Sequence, residues 1–134
     1  MNKTSRYTIL FAALLLFTTL TAAQSNTQID VELKNTEPTP LQTSEYADIW
    51  LEVTNEGNTE AQDVQVEFNE NYPFSVDPGD RKSWDIGELV PGEEYQIHLQ
   101  AKVDENAVQG NNSLKFTTTT GEYDITRSVP VEVR

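Results

Sequence analysis

The sequence predicts an all-β protein, an antiparallel sandwich of about seven strands, on three observations. Ala47, Ile49, Leu51 and Val53 alternate with Tyr46, Asp48, Trp50 and Glu52. Tyr95, Ile97, Leu99, Ala101 and Val103 alternate likewise with Glu94, Gln96, His98, Gln100 and Lys102. A period of two puts one set on a buried sheet face and the other in water. The third observation is punctuation: Asn55-Glu56-Gly57-Asn58, Asp77-Pro78-Gly79-Asp80, Val90-Pro91-Gly92-Glu93 and Gly121-Glu122 all read as turns. Short strands separated by regular turns, half-buried on one face, pack as two antiparallel sheets.

The first residues read as an export leader. Lys3 and Arg6 form a basic n-region, Tyr7 to Leu20 is mostly apolar, and Thr21-Ala22-Ala23 offers small residues for cleavage. The apolar stretch is short for a membrane span of about 20 residues. The expectation is a signal peptide over residues 1–23 and one domain over residues 24–134; the alternative is a retained anchor. Nothing later in the chain is apolar enough to span a bilayer.

The strands follow in order. The first runs from Gln28 to Lys34 with Ile29, Val31 and Leu33 inward, and Pro38 and Pro40 then break the edge ladder. The second is Glu45 to Thr54. In its closing turn, Gly57 and the asparagines suit positive φ. The third is Ala61 to Asn69, with Val64, Val66 and Phe68 inward. The fourth, Lys82 to Leu89, puts Trp84 and Ile86 on one face. The fifth is Tyr95 to Val103, followed by a loop from Asp104 to Gly110. The sixth, Ser113 to Thr120, contributes Leu114 and Phe116. The seventh, Tyr123 to Val133, turns Ile125, Val129, Val131 and Val133 inward, with Pro130 marking an edge or a bulge.

Composition narrows the function. The chain carries 22 acidic and 9 basic residues, a formal net charge of −13. Losing the leader would remove Lys3 and Arg6 and none of the acids. Such a surface repels nucleic acid and anionic lipid, because phosphates need Lys and Arg to neutralise them. It fits either a salt-loving host or an ordinary acidic secreted protein. There is no cysteine. The domain therefore stands on its core without disulfides, and a lipid-modified cysteine is excluded.

Four motifs, in order, carry a family resemblance. Val53-Thr54-Asn55-Glu56-Gly57-Asn58, with Ala61 and Val64, is similar to a V-x-N-x-G-N-x-x-A-x-x-V hairpin. Tyr72-Pro73-Phe74-Ser75-Val76 follows, then Ile86-Gly87-Glu88-Leu89-Val90-Pro91-Gly92-Glu93, then Val103-Asp104 with Ala107 and Gly110. Together they resemble archaeal S-layer-like secreted domains, related to the bacterial cell-adhesion domains of the CARDB type. The resemblance covers about Gln28 to Arg134. It implies an immunoglobulin-like fold, with a kinked first strand, on an exported or cell-surface protein that is usually not an enzyme. The chain departs from that pattern in carrying a single unit and no C-terminal anchor.

The chemical inventory is thin. His98 is the only histidine and there is no cysteine, so a zinc site would need at least three carboxylate or water ligands. No nucleophile-elbow sequence accompanies the serines, and no cofactor is expected. Asp104-Glu105-Asn106 fails the spacing of an EF-hand loop. Irregular calcium sites at Asp104, or at Asp77 with Asp80, remain as candidates. Asn111-Asn112-Ser113 is a glycosylation sequon, with Asn111 the acceptor.

Trp50 stands out, because its strand buries the alternate residues and turns it to water beside Tyr46. In immunoglobulin-like sheets the second and fifth strands are neighbours. That places Gln96, His98 and Gln100 beside Trp50 and Tyr46 on one outer face. An aromatic flanked by amides suits a protein contact or a sugar, and equally a cross-strand packing role. The expected function is a non-enzymatic, secreted or cell-surface module that binds a surface protein. A small carbohydrate-binding module for surface or cell-wall glycans is the alternative.

Overall fold

The computed structural model describes residues 22–134. Residues 1–21 of the expected leader lie outside the described residues. Eight strands form: β1 Ile29–Glu37, β2 Tyr46–Asn55, β3 Ala61–Asn69, β4 Phe74–Ser75, β5 Ser83–Leu89, β6 Glu94–Val103, β7 Gly110–Thr119 and β8 Asp124–Val133. They make two antiparallel four-stranded sheets, ordered β1-β2-β6-β4 and β5-β3-β7-β8. Seven of these are the strands expected from the sequence. The eighth, β4, is two residues long and too short to show a period. Among the described residues, no helix is long and apolar enough to cross a membrane.

The core lies between the sheets. Ile49, Leu51 and Val53 of β2 and Ile97, Leu99 and Val103 of β6 are buried. They face Val64, Val66 and Phe68 of β3 and Leu114 and Phe116 of β7, all buried as well. Phe68 and Phe116 meet in a tilted pair with centroids 5.4 Å apart. Two expected core residues lie outside: Tyr95 and Ile125 are 42% and 39% exposed. Both have the inward parity, but each is the second residue of its strand, at the end of its ladder. Leu33 is only half-buried, because the pairing of β1 with β2 shifts register between Leu33 and Asn35.

After β1 the chain turns through Pro38 and Pro40 and changes sheets. The Leu41 N–H donates to the Glu132 carbonyl at 3.0 Å, and the Arg134 N–H donates to the Leu41 carbonyl at 2.8 Å. Leu41 thus covers the last residues of the β8 edge. Pro130 lies on that same edge, as its sequence position anticipates, where a missing N–H breaks no ladder.

The β2–β3 turn corrects one reading. Gly57 is not among the residues at positive φ. Its lack of a side chain is needed for a close approach instead: a Cβ there would stand 2.2 Å from the Asn26 carbonyl and 2.8 Å from the Gln28 nitrogen. The segment it contacts is held by Asn58, whose N–H donates to the Asn26 carbonyl at 2.8 Å and whose Oδ1 accepts the Asn26 N–H at 2.7 Å. Gly57→Ala should push this segment away and cost roughly 1–3 kcal/mol, as overpacking does. Faster amide exchange at Asn26 and Asn58 than in the parent protein would check it.

The acids have few partners. Lys34 pairs with Glu52 at 2.7 Å and Glu32 at 3.6 Å, Lys82 with Glu70 at 3.7 Å, and Arg127 with Asp30 at 2.7 Å, across from β8 to β1. Exposed pairs contribute little. A net charge of −13 then leaves self-repulsion, which a Debye length of about 10 Å at 0.1 M salt screens only in part. The melting temperature should climb from low to molar sodium chloride. A flat or falling midpoint in a thermal melt would contradict this.

Candidate functional site

The outer face of the first sheet is built from cross-strand rows. β2 and β6 pair without a break from Tyr46↔Lys102 to Thr54↔Glu94. With β1 added, the rows are Glu32–Glu52–Gln96, Asn35–Trp50–His98 and Glu37–Asp48–Gln100. Tyr46 and Lys102 form the next row, which Ser75 of β4 extends. All five residues expected to share this face, Trp50, Tyr46, Gln96, His98 and Gln100, share it. Strand alternation supplies the face, and antiparallel register brings the partners opposite one another.

Its centre is an ordered group rather than an open ring. The rings of Trp50 and His98 stack at 5.1 Å and 29°. His98 Nε2 lies 2.7 Å from Asp48 Oδ1. Trp50 is half-buried, while the His98 side chain is 49% exposed. One face of the indole is thus covered by the imidazole, and Asp48 holds the imidazole in place. Among the described residues no serine hydroxyl bonds to His98, so nothing pairs it with a nucleophile.

Tyr46 plays a different part. Its hydroxyl donates to Asp77 Oδ2 at 2.6 Å, and the Lys102 ammonium lies 5.8 Å from its ring centroid. Tyr46 therefore pins the loop between β4 and β5 against the sheet. The hydrogen bond to Asp77 pushes the phenol's pKa above its ordinary value, with burial and the charges of Asp77 and Asp80 adding to it. A raised pKa means the contribution is full below the unfolded tyrosine pKa and is lost as pH rises through the folded one. Tyr46 should therefore ionise at a higher pH than a free tyrosine. The difference between phenolate absorbance titrations of the parent and Tyr46→Phe isolates that component, and a midpoint at or below the free-tyrosine value would contradict it.

The same loop walls a shallow groove of about 220 Å³, lined by Asp80, Arg81, His98 and Gln100. A larger polar hollow of about 420 Å³ lies at the end of β6 between Ser44, Ser75, Lys102, Asp104 and Glu105. The calcium candidates are scattered. Asp77 is occupied by Tyr46, and Asp104 Oδ1 accepts the Asn106 N–H at 2.8 Å. Among the described residues, no group of three or more His, Asp or Glu side chains converges to hold a metal. Asn111 is exposed, but it lies in β7 opposite Glu132 rather than in a loop. It borders a groove of about 280 Å³ with Leu33, Pro40 and Pro130.

Sequence reasoning put Asp48 on the same water face as Trp50 without pairing it with His98, and it missed Asn35 and Arg81 as members of this surface. Asn35 reaches Trp50's row only through the β1 register shift. Arg81 reaches it through a loop of no fixed period.

No family model matches the chain, and no curated protein matches it. Solved structures do. The chain is similar to the CARDB domain of a protein from Pyrococcus furiosus, solved in complex with di-metal ions. The TM-score is 0.53 at 18% identity, over 84% of this chain and 97% of that one. The fold is a CARDB-like, immunoglobulin-like β-sandwich. A second similar structure is Spo0M, the sporulation control protein of Bacillus subtilis, with a TM-score of 0.43 at 16% identity. That likeness covers 84% of this chain and 50% of Spo0M. At 18% identity the likeness to the Pyrococcus domain speaks for the fold alone.

Proposed function

We propose that this chain is an exported, non-enzymatic module that binds another protein at the cell surface through the outer face of β1, β2 and β6. The observation that carries the reading is the Trp50–His98–Asp48 group. It presents a half-buried aromatic, fixed in position and rimmed by polar side chains, as the centre of a protein contact does. A sugar would stack on a free aromatic face, and His98 already occupies one face of Trp50. The motif set points to an S-layer-associated assembly, and the acidic surface supports a salt-rich archaeal setting. The leader is removed after Ala23 in this reading. The hydrogen bonds that join Asn58 to Gln24 and Asn26 lie wholly on the mature side of that cut.

The test compares parent and Trp50→Ala proteins against cell-envelope protein fractions and a polysaccharide array. Saturable binding to a protease-sensitive component, lost in Trp50→Ala, is the expected result. Binding to glycans that depends on Trp50 would replace this reading with the carbohydrate one. Intact-mass measurement of exported material should begin at Gln24.

A further inference from the structure

The ladder between β2 and β6 tells where each β6 backbone group points. The Asn55 N–H donates to the Glu93 carbonyl at 3.2 Å, and the Val103 N–H donates to the Glu45 carbonyl at 2.9 Å. In an antiparallel pair, bonded positions recur at every second residue. Tyr95, Ile97, Leu99 and Ala101 therefore turn their N–H and C=O groups toward β2. Gln96, His98 and Gln100 turn theirs the other way. On that side β4 meets β6 only at Phe74↔Val103 and Ser75↔Lys102. Among the described residues, nothing hydrogen-bonds the backbone of Gln96, His98 or Gln100 on that side. The loop carrying Asp80 and Arg81 stands off from the strand across the 220 Å³ groove.

An open edge is a hazard that folded proteins blunt. The other edges here are blunted. β1 has its register shift at Leu33/Asn35 and runs into Pro38. β5 pairs with β3 through two register shifts around Val64, which lies opposite Gly87. β8 has Pro130 and the Leu41 cover. From Glu94 to Gln100, β6 has no proline, glycine or register shift. Its side chains there are the ones on the candidate face.

We propose that β6 is a docking edge, and that an extended, basic segment of a partner protein adds to it as a strand beside Gln96, His98 and Gln100. This rests on the protein-binding reading of the same face and names the partner's chemistry. Backbone bonds to three alternate residues would supply affinity, as in strand addition elsewhere. Charge sets the occupant. The chain has a net charge of −13, and Glu94, Glu52, Asp48 and Asp80 outnumber Arg81 and Lys102 near the edge. A second copy of this chain brings the same negative charge and is disfavoured.

The test follows amide hydrogen exchange on the isotope-labelled protein with two synthetic peptides, one alternating lysine and valine, the other glutamate and valine. The lysine peptide should slow exchange at Gln96, His98 and Gln100 by about tenfold or more, since only bonded amides gain protection. Ile97 and Leu99, already bonded to β2, should not change. The glutamate peptide should leave all five alone. Gln96→Lys/Gln100→Lys should abolish the protection without lowering the melting temperature. If both peptides protect these amides equally, or neither does, the proposal fails. Altered Trp50 fluorescence without amide protection would overturn strand addition and leave the face as a binding surface. Protection that grows with protein concentration, with no peptide present, would assign the edge to a second copy and overturn the basic partner.

Discussion

Leu51→Ala should lower the unfolding free energy by roughly 2–5 kcal/mol, the range for a buried leucine that leaves a cavity. Leu51 is fully buried between Ile97 and Leu33 in the cross-strand register and faces the second sheet. Its neighbour Trp50 is larger but points the other way. Trp50→Ala should cost only about 1–2 kcal/mol, from the lost stack with His98 and the half-buried ring. Urea unfolding of both variants measures the difference. The pair is a test of register, because a slip of one residue would exchange the two faces. If Trp50→Ala proves more damaging than Leu51→Ala, the face assignment is wrong. The docking face and the β6 edge would then lose their basis together.

Asn55→Ala is expected to be the most damaging polar substitution. Asn55 is fully buried at the end of β2. Its Nδ2 donates to the Thr59 and Leu89 carbonyls, each at 2.8 Å, and its Oδ1 accepts the Gly57 N–H at 2.9 Å. The side chain thus closes the β2–β3 turn and ties it to the end of β5, joining the two sheets. Alanine would leave three backbone groups without their partner, at roughly 1–3 kcal/mol for each one that stays buried and unsatisfied. Asn55→Asp should be no better, because a carboxylate would face two carbonyl oxygens. By contrast, Asn58→Ala loses only exposed bonds and should be mild. Denaturant midpoints for the three variants check the order. An Asn55→Ala midpoint close to the parent's would mean that water replaces the amide.

Much of this was legible in the chain. β2, β3 and β6 lie where the alternation of apolar and polar residues puts them, because side-chain direction in a strand is a local property. The turns at Gly79 and Gly92 have the positive φ that a glycine there permits. Where reading failed, the cause was non-local. Gly57 looked like a turn glycine, but its role is set by Asn26, far away in sequence. Ile125 and Tyr95 have core parity, yet each lies at the end of its strand and stays exposed. β4 is too short to carry any pattern.

The sequence by itself determined the two-layer architecture, the buried faces of the long strands and the shared face of Trp50, Tyr46 and the β6 residues. Period-two alternation depends only on residues close together and fixes the faces, and the immunoglobulin-like resemblance, in which the second and fifth strands are neighbours, brings the two strands together. Only the tertiary structure decided the rest. Asp48 became the partner of His98 and Asn35 the neighbour of Trp50 through pairing across strands and a register shift. The backbone of Gln96, His98 and Gln100 is open because β4 stops after two residues. A strand's unpaired edge depends on what packs beside it, and no local pattern in the strand itself records that.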